Sequence, residues 1–190
     1  NPNVGKSVIF NALTGLSADV SNYPGTTIDI STGFLGDDHL CDTPGVYGVS
    51  SMNDEEKTAR DLILQTELVV NVVSALSLDR DLFLPLQLID MHKPLILVIN
   101  QWDEARVRGI EIDKEKLSEL LDVPVLSCVA VEGHGLSDIA PSLAAAKLGR
   151  TTEELEHKLA PLIGSGLDRQ IALLALEGDD VTRDSLLFEV

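Results

Sequence analysis

Asn1-Pro2-Asn3-Val4-Gly5-Lys6-Ser7 opens the sequence, and the reading of this stretch decides the fold. A phosphate-binding loop has the pattern G-x-x-x-x-G-K-[ST], and every position but the leading glycine is present here. Such a loop wraps backbone N–H groups around a polyphosphate, and the helix that follows aims its positive end at the same anion. In that reading Lys6 reaches the β- and γ-phosphates as a point charge, while Ser7 offers its hydroxyl to Mg2+. The run Val8-Ile9-Phe10-Asn11-Ala12-Leu13 predicts the helix, with apolar residues on its packing side. The stretch alone leaves a second reading open, a polar tail that enters an ordinary helix.

Composition narrows the choice. A chain of 190 residues with 44% hydrophobic content can bury a core, and its length suggests one domain with an appendage. Its 31 acidic residues against 14 basic ones give a formal charge of −17, a surface that repels a phosphate backbone. Nucleic acid is therefore not expected as a partner. The cysteines, Cys41 and Cys128, have no C-x-x-C spacing and are expected to be small buried hydrophobes in a reducing compartment. His39, His92, His134 and His157 are scattered without metal-ligand spacing. No apolar run approaches the roughly 20 residues of a membrane span, so a soluble chain is expected.

Strands and helices alternate along the sequence. Residues 17–26 read as a turn-rich loop, 27–31 as an alternating segment and 39–41 as a short strand. Helical patterns cover 54–64, 82–91, 113–121 and 137–148. The β-branched runs at 68–73 and 94–99, with 124–128, read as buried strands. Strands without alternation, separated by helices, predict a mostly parallel sheet covered on both faces. The pattern changes after Gly149. Thr151 with Glu154 reads as a capping box, and helices are expected over 153–162, 167–176 and 182–188. The predicted organisation is an α/β domain over 1–149, lacking its first strand, and a helical subdomain over 150–190. From Thr27 to Asp42 the spacing is short for a full hairpin.

Three further stretches carry chemistry. Asp42-Thr43-Pro44-Gly45 follows a strand, where a carboxylate can hold Mg2+ through water and the Gly45 N–H can meet a γ-phosphate. Thr26 and Thr27, after Pro24-Gly25, supply a hydroxyl for the same Mg2+ shell. In Asn100-Gln101-Trp102-Asp103, the aspartate can accept from guanine N1–H and the 2-amino group, which adenine lacks. Asn100 braces the loop and touches the base edge, and the Gln101 stem covers one face of the base. Each stretch alone also reads as ordinary turn chemistry. Their order, phosphate loop, Thr, Asp-x-Pro-Gly, Asn-x-x-Asp, is what a nucleotide site requires.

With these residues in place, the sequence resembles the translation-factor class of GTPases. More closely, it is similar to the cytosolic G domain of the ferrous iron transport protein B family. The likeness rests on residues 1–7, Asn22-Tyr23-Pro24-Gly25-Thr26-Thr27, Asp42-Thr43-Pro44-Gly45-Val46-Tyr47, and the stretches 78–84, 112–125 and 174–179. It implies a phosphate-loop GTPase fold with an appended helical subdomain. It also implies GTP and GDP as ligands, held by residues 1–7, by Gly25, Thr26, Thr27, Ile28 and Asp29, and by the loops around Asp42 and Asn100. Val129, Ala130 and Val131 complete the base pocket, with Ala130 standing where the family often has Ser and its backbone N–H left for guanine O6. Ser7, Thr27 and Asp42 are the implied Mg2+ ligands. Lys6, Thr27, Gly45 and Asn3 are the implied catalytic set. Val46 stands where other GTPases place a water-orienting glutamine, so slow hydrolysis assisted by K+ at Asn3 is implied. The implied role is a GTPase at the cytoplasmic face of the inner membrane that gates a permease later in the same polypeptide, and a homo-oligomer is compatible with it. The alternatives are a nucleotide-dependent protein-binding switch with incidental hydrolysis, and a ribosome-assembly GTPase.

Overall fold

Helix α1 spans Lys6–Thr14, buries Ile9 and Phe10, and ends where Gly15 turns left-handed and donates its N–H to Asn11. A computed structural model describes residues 1–15, 18–50, 53–179 and 182 of the chain. After α1 come three antiparallel strands, β1 (Asp19–Asn22), β2 (Asp29–Leu35) and β3 (Asp38–Asp42). Leu35 pairs with Asp38, so Gly36 and Asp37 alone make the turn and the hairpin is complete. The spacing from Thr27 to Asp42 is thus sufficient, contrary to the sequence expectation. The segment expected as a loop contains β1. All four β1 residues are exposed, so no buried alternation marks it in the sequence. Cys41 also corrects an expectation, because it lies exposed on β3 while only Cys128 is buried.

The second half builds a parallel sheet. Helix α2 (Asp54–Gln65) starts at Asn53, whose side chain accepts from the Glu56 N–H, and three acidic residues occupy its first turn. Its far end is closed by the buried Lys93, whose Nζ donates to Leu64 O at 2.7 Å and Thr66 O at 2.9 Å. Next come β4 (Val69–Ser74), α3 (Leu78–Asp81), α4 (Phe83–Asp90) and β5 (Leu95–Asn100). They are followed by α5 (Trp102–Val107), α6 (Lys114–Leu121) and β6 (Val125–Ser127). The strand order is β4-β5-β6, with Ser74 opposite Asn100 and Ile99 opposite Ser127. Every residue of β5 is buried, as its unbroken apolar run predicts. Full burial of each such side chain contributes about 1.5–3 kcal/mol.

The helix predicted over 137–148 is broken. Short 3-10 turns at Leu136–Asp138 and Leu143–Ala145 flank α7 (Ile139–Ser142). Ala146 then becomes extended, which lets Lys147 pair with the backbone of Leu95 (N···O 2.9 Å). Pairing with the buried strand overrides the helix propensity of the alanines.

Among the described residues the two sheets do not hydrogen-bond to each other. A cavity of about 770 Å3 lies between β3 and β4, lined by Leu40, Asp42, Val70, Val72 and, from the helices, Ile9 and Leu88.

Helices α8 (Glu153–Gly164) and α9 (Arg169–Glu177) form the helical tail. The α8 cap is Thr152, which accepts from the Leu155 N–H, and not Thr151. Starting one residue later puts Leu155 at the third helical position, so the expected reciprocal bond from Glu154 does not apply. Arg169 joins the tail to the body, with Nε donating to Asp90 O at 2.7 Å and the guanidinium holding Glu156 at 2.8 and 2.6 Å. Leu159, Ala172, Leu173 and Leu174 enter the same core cluster as Val73, Leu88 and Leu97. Among the described residues no single helix is long and apolar enough to cross a membrane. The α8–α9 pair reaches that length only across a 113° bend, and these apolar residues face the core. Of the helix expected over 182–188, only Thr182 lies within the described residues.

Candidate nucleotide site

Loop 1–7 turns left-handed twice, at Asn3 (φ 59°) and Gly5 (φ 82°). Asparagine tolerates that region and glycine enters it without strain. Gly5 caps α1 without any side-chain acceptor, and no acidic residue sits in the first helical turn. The first N–H groups of α1 therefore have no side-chain partner, the arrangement that receives an anion. Lys6 Nζ lies 2.5 Å from one Asp42 oxygen, and Ser7 Oγ donates to the other at 2.6 Å. Three residues expected at the phosphates and Mg2+ thus meet at one point, brought together by the start of α1 and the end of β3.

Gly45 packs directly against the first loop. A Cβ there would lie 2.8 Å from Pro2 Cα and 3.0 Å from Pro2 N, so only glycine fits. Thr43 and Pro44 beside it are half-buried, and Val46 turns into the core. The 23–29 loop is held differently. Thr26 Oγ1 donates to Tyr23 O at 3.0 Å and accepts the Ile28 N–H at 3.2 Å. That commits the Thr26 hydroxyl to its own turn. Gly25, Thr27 and Asp29 are exposed and lie outside the cluster of bonds around Asp42.

Asn100, at the end of β5, is the hub of the base side. Its Nδ2 donates to Val4 O at 2.9 Å, and its Oδ1 accepts the Ala130 N–H at 2.9 Å and the Cys128 thiol at 3.3 Å. Burial pushes the Cys128 thiol up to about 11, which keeps it protonated and able to donate. The brace expected from Asn100 is present, with one Nδ2 hydrogen not used in these bonds. The Ala130 N–H is taken by Asn100, so it is not the free donor expected for guanine O6. Val129 donates to His134 O instead, and Val131 is exposed. Gln101 (φ 62°) caps α5, and its Oε1 accepts from Ser74 Oγ at 2.5 Å, which fixes the stem beside the half-buried Asp103.

Two residues outside the motifs hold the site. Ser74 ends β4 and anchors Gln101. Asp81 is fully buried on α3, accepts the Ser74 N–H at 3.0 Å, and through its carbonyl receives the Asn1 amide at 3.1 Å. The only sequence signal for Ser74 is its place at the carboxyl end of a β-branched run. Asp81 closes the charged run Asp79-Arg80-Asp81 within the 78–84 stretch, and nothing local marks it as the one of the three that is buried.

A loop–helix anion site, a carboxylate under it and an Asn-x-x-Asp turn at the next strand end define a phosphate-loop GTPase fold. The profile described as "Ferrous iron transport protein B" matches residues 1–143, and the chain belongs to that family. It is 39% identical over 153 residues to the Fe(2+) transporter FeoB of Legionella pneumophila (strain Paris), covering 75% of this chain and 20% of that protein. It is 41% identical over 143 residues to the Fe(2+) transporter FeoB of Helicobacter pylori (strain ATCC 700392 / 26695), with 72% and 22% covered. The chain thus spans about a fifth of the length of these curated relatives. Among solved structures, an NFeoB mutant of S. thermophilus bound to GDP superposes with a TM-score of 0.87 at 29% identity, covering 98% of this chain and 79% of that one. The cytosolic domain of the T. maritima FeoB iron transporter in its GMPPNP form gives a TM-score of 0.84 at 31% identity, with 97% and 81% covered.

Proposed function

We propose that this chain binds GTP and GDP, hydrolyses GTP slowly, and in its full-length protein regulates the passage of ferrous iron through a permease domain in the membrane. The observation that carries the reading is the convergence of Lys6 and Ser7 on Asp42 beneath a helix start without side-chain caps. The nucleotide-bound forms of the FeoB relatives support the ligand class.

On this reading the phosphates displace Lys6 from Asp42 and take its charge. The Ser7 hydroxyl and Asp42 carboxylate are hard oxygen donors, the set Mg2+ prefers, and Thr27, which lies outside their cluster, would have to move in to serve as a further ligand. Bound by these residues, Mg2+ would supply positive charge to the phosphates. Asn3 would offer an amide oxygen to K+, which would add positive charge beside the phosphates. Gly45 N–H meets the γ-phosphate, and Asp103 reads guanine. The buried Val46 cannot orient water, which favours slow turnover and keeps the switch reading, with hydrolysis incidental, as the second possibility. Single-turnover hydrolysis separates the two. The 1–149 and 150–190 division follows the motifs, although the tail shares the core.

The test is base specificity. Calorimetric titration should show GTP and GDP binding with ATP excluded, and Asp103→Asn should shift preference towards xanthosine triphosphate. A site built to hydrogen-bond its ligand rejects the wrong base by roughly 10⁴-fold. Equal binding of ATP and GTP overturns the assignment.

A further inference from the structure

His39 and Cys41 stand two residues apart, a spacing that gathers nothing on a helix but puts both side chains on one face of strand β3. The register tells which face. Leu40, between them, lies opposite Gly33, and a Cβ on Gly33 would sit 2.7 Å from Thr14 Cγ2, so α1 covers the Leu40 side of the hairpin. His39 and Cys41 point the other way, and both are exposed. Asp42, one residue on, shares the covered side, so the pair is turned away from the bonds among Lys6, Ser7 and Asp42. Phe34 faces His39 across the strand pair, its ring centroid 5.2 Å from the imidazole, which limits how the imidazole can turn. Cys41 Sγ then lies 4.0 Å from His39 Nδ1.

At that separation a thiol–imidazole hydrogen bond is feeble. An ion fits the gap better. With Zn–S at about 2.3 Å and Zn–N at about 2.0–2.1 Å, one ion bonded to both atoms spans at most about 4.4 Å, and a tetrahedral angle needs about 3.5 Å. The observed gap falls between these limits, and a small side-chain rotation closes it. Thiolate with imidazole is a softer donor pair than the oxygens of Ser7 and Asp42. Asp37 and Asp38 immediately precede the pair and the chain carries a formal −17, so the surrounding field favours a cation. Among the described residues no three His, Cys, Asp or Glu side chains gather as ligands, so the protein supplies two and solvent the rest. We propose that His39 and Cys41 bind one thiophilic divalent ion of the Zn2+ class on the exposed face of β3. Burial raises the Cys41 thiol above its ordinary value, so it is protonated at neutral pH, and binding must release that proton to solvent. Affinity therefore rises with pH until the thiol itself titrates. The site is independent of the nucleotide reading above.

The experiment titrates the chain with Co2+ as a spectroscopic stand-in for Zn2+, with excess Mg2+ present to fill hard-oxygen sites. A near-ultraviolet thiolate-to-cobalt band should grow to one ion per chain, strengthen as pH rises, and vanish when Zn2+ is added. Cys41→Ser should erase the band. His39→Ala should weaken binding at least as much as loss of a residue that merely supports a metal ligand, roughly 10–100-fold. In parallel, Zn2+ should protect Cys41 from a thiol reagent that the buried Cys128 escapes. Both substitutions lie on an exposed strand face, and thermal unfolding without metal checks that the variants fold; if either does not, the wild-type band and thiol protection decide. A wild type without the band, a band that survives Cys41→Ser, an affinity that His39→Ala leaves unchanged, or a thiol as reactive with Zn2+ as without it overturns the proposal.

Discussion

Replacing Asn100 with Ala tests the hub that joins the phosphate loop to the base loop. The side chain is 4% exposed and makes three hydrogen bonds, to Val4 O, Ala130 N and Cys128 Sγ. Alanine strands the Val4 carbonyl and the Ala130 N–H, on residues 2% and 6% exposed. Each unpaired buried group costs about 1–3 kcal/mol, so the variant, which strands two, should lose about 2–6 kcal/mol. For a chain of this size that corresponds to about 4–24 °C in Tm. Asn100→Asp refines the argument. It keeps the acceptor for Ala130 and Cys128, cannot donate to Val4 O, and sets a charge against that carbonyl. Urea unfolding without nucleotide measures both losses, and GDP titration should show weakened binding, because Val4 sits inside the phosphate loop. Gly5 supplies an internal control. Its Cβ would lie 2.4 Å from Asn100 Nδ2, so Gly5→Ala should be less harmful when Asn100 is already Ala, although the positive φ still penalises it. A loss below about 0.5 kcal/mol, within the range of ordinary surface changes, refutes the hub.

Lys6→Ala should abolish GDP binding in calorimetric titration and leave circular dichroism unchanged, since a loop lysine adds little to stability while its bonds to phosphate are charge-assisted; undiminished affinity counts against the phosphate loop. Wild-type GTP turnover should be faster in K+ than in Na+ at matched ionic strength, and Asn3→Ala should erase the difference; a mutant that keeps the preference removes Asn3 as the ligand. Bonds from Arg169 and then Thr151 hold the Glu156 carboxyl down to about 2, from an ordinary 4.5. A depressed carboxyl stabilises the fold above its unfolded value and loses that contribution as pH falls from about 4.5 to about 2. The Tm gap between wild type and Glu156→Gln should therefore close across this window, and a gap that persists at pH 2 sinks the pairing.

The strands of the parallel sheet were legible because burial on both faces leaves a mark that needs no partner to be read. The β-branched runs at Val69–Ser74 and Leu95–Asn100 are such marks. Strand β1 carried none, since its four residues face solvent and only pairing with β2 makes them a strand. The helix expected after Ser137 failed for the converse reason, as a backbone bond from Lys147 to Leu95 outweighed local propensity. The site divides the same way. Gly5, Lys6, Ser7, Asp42 and Gly45 were readable because a loop wrapped on an anion dictates residue types at fixed spacing.

Ser74 and Asp81 are held by partners whose identity depends on the fold, so no local pattern announces which bonds they make. Asn100 stands between these cases. In sequence it belongs to a base-reading motif, yet in the fold most of its hydrogen-bonding capacity is spent inside the protein, on residues 96 and 30 positions away. On the proposed reading, guanine recognition would then fall chiefly on Asp103, and the motif's asparagine would matter because it ties the 1–7 loop to the loop after β6. Loss of Asn100 should accordingly weaken every nucleotide alike, whereas loss of Asp103 should change which nucleotide is preferred.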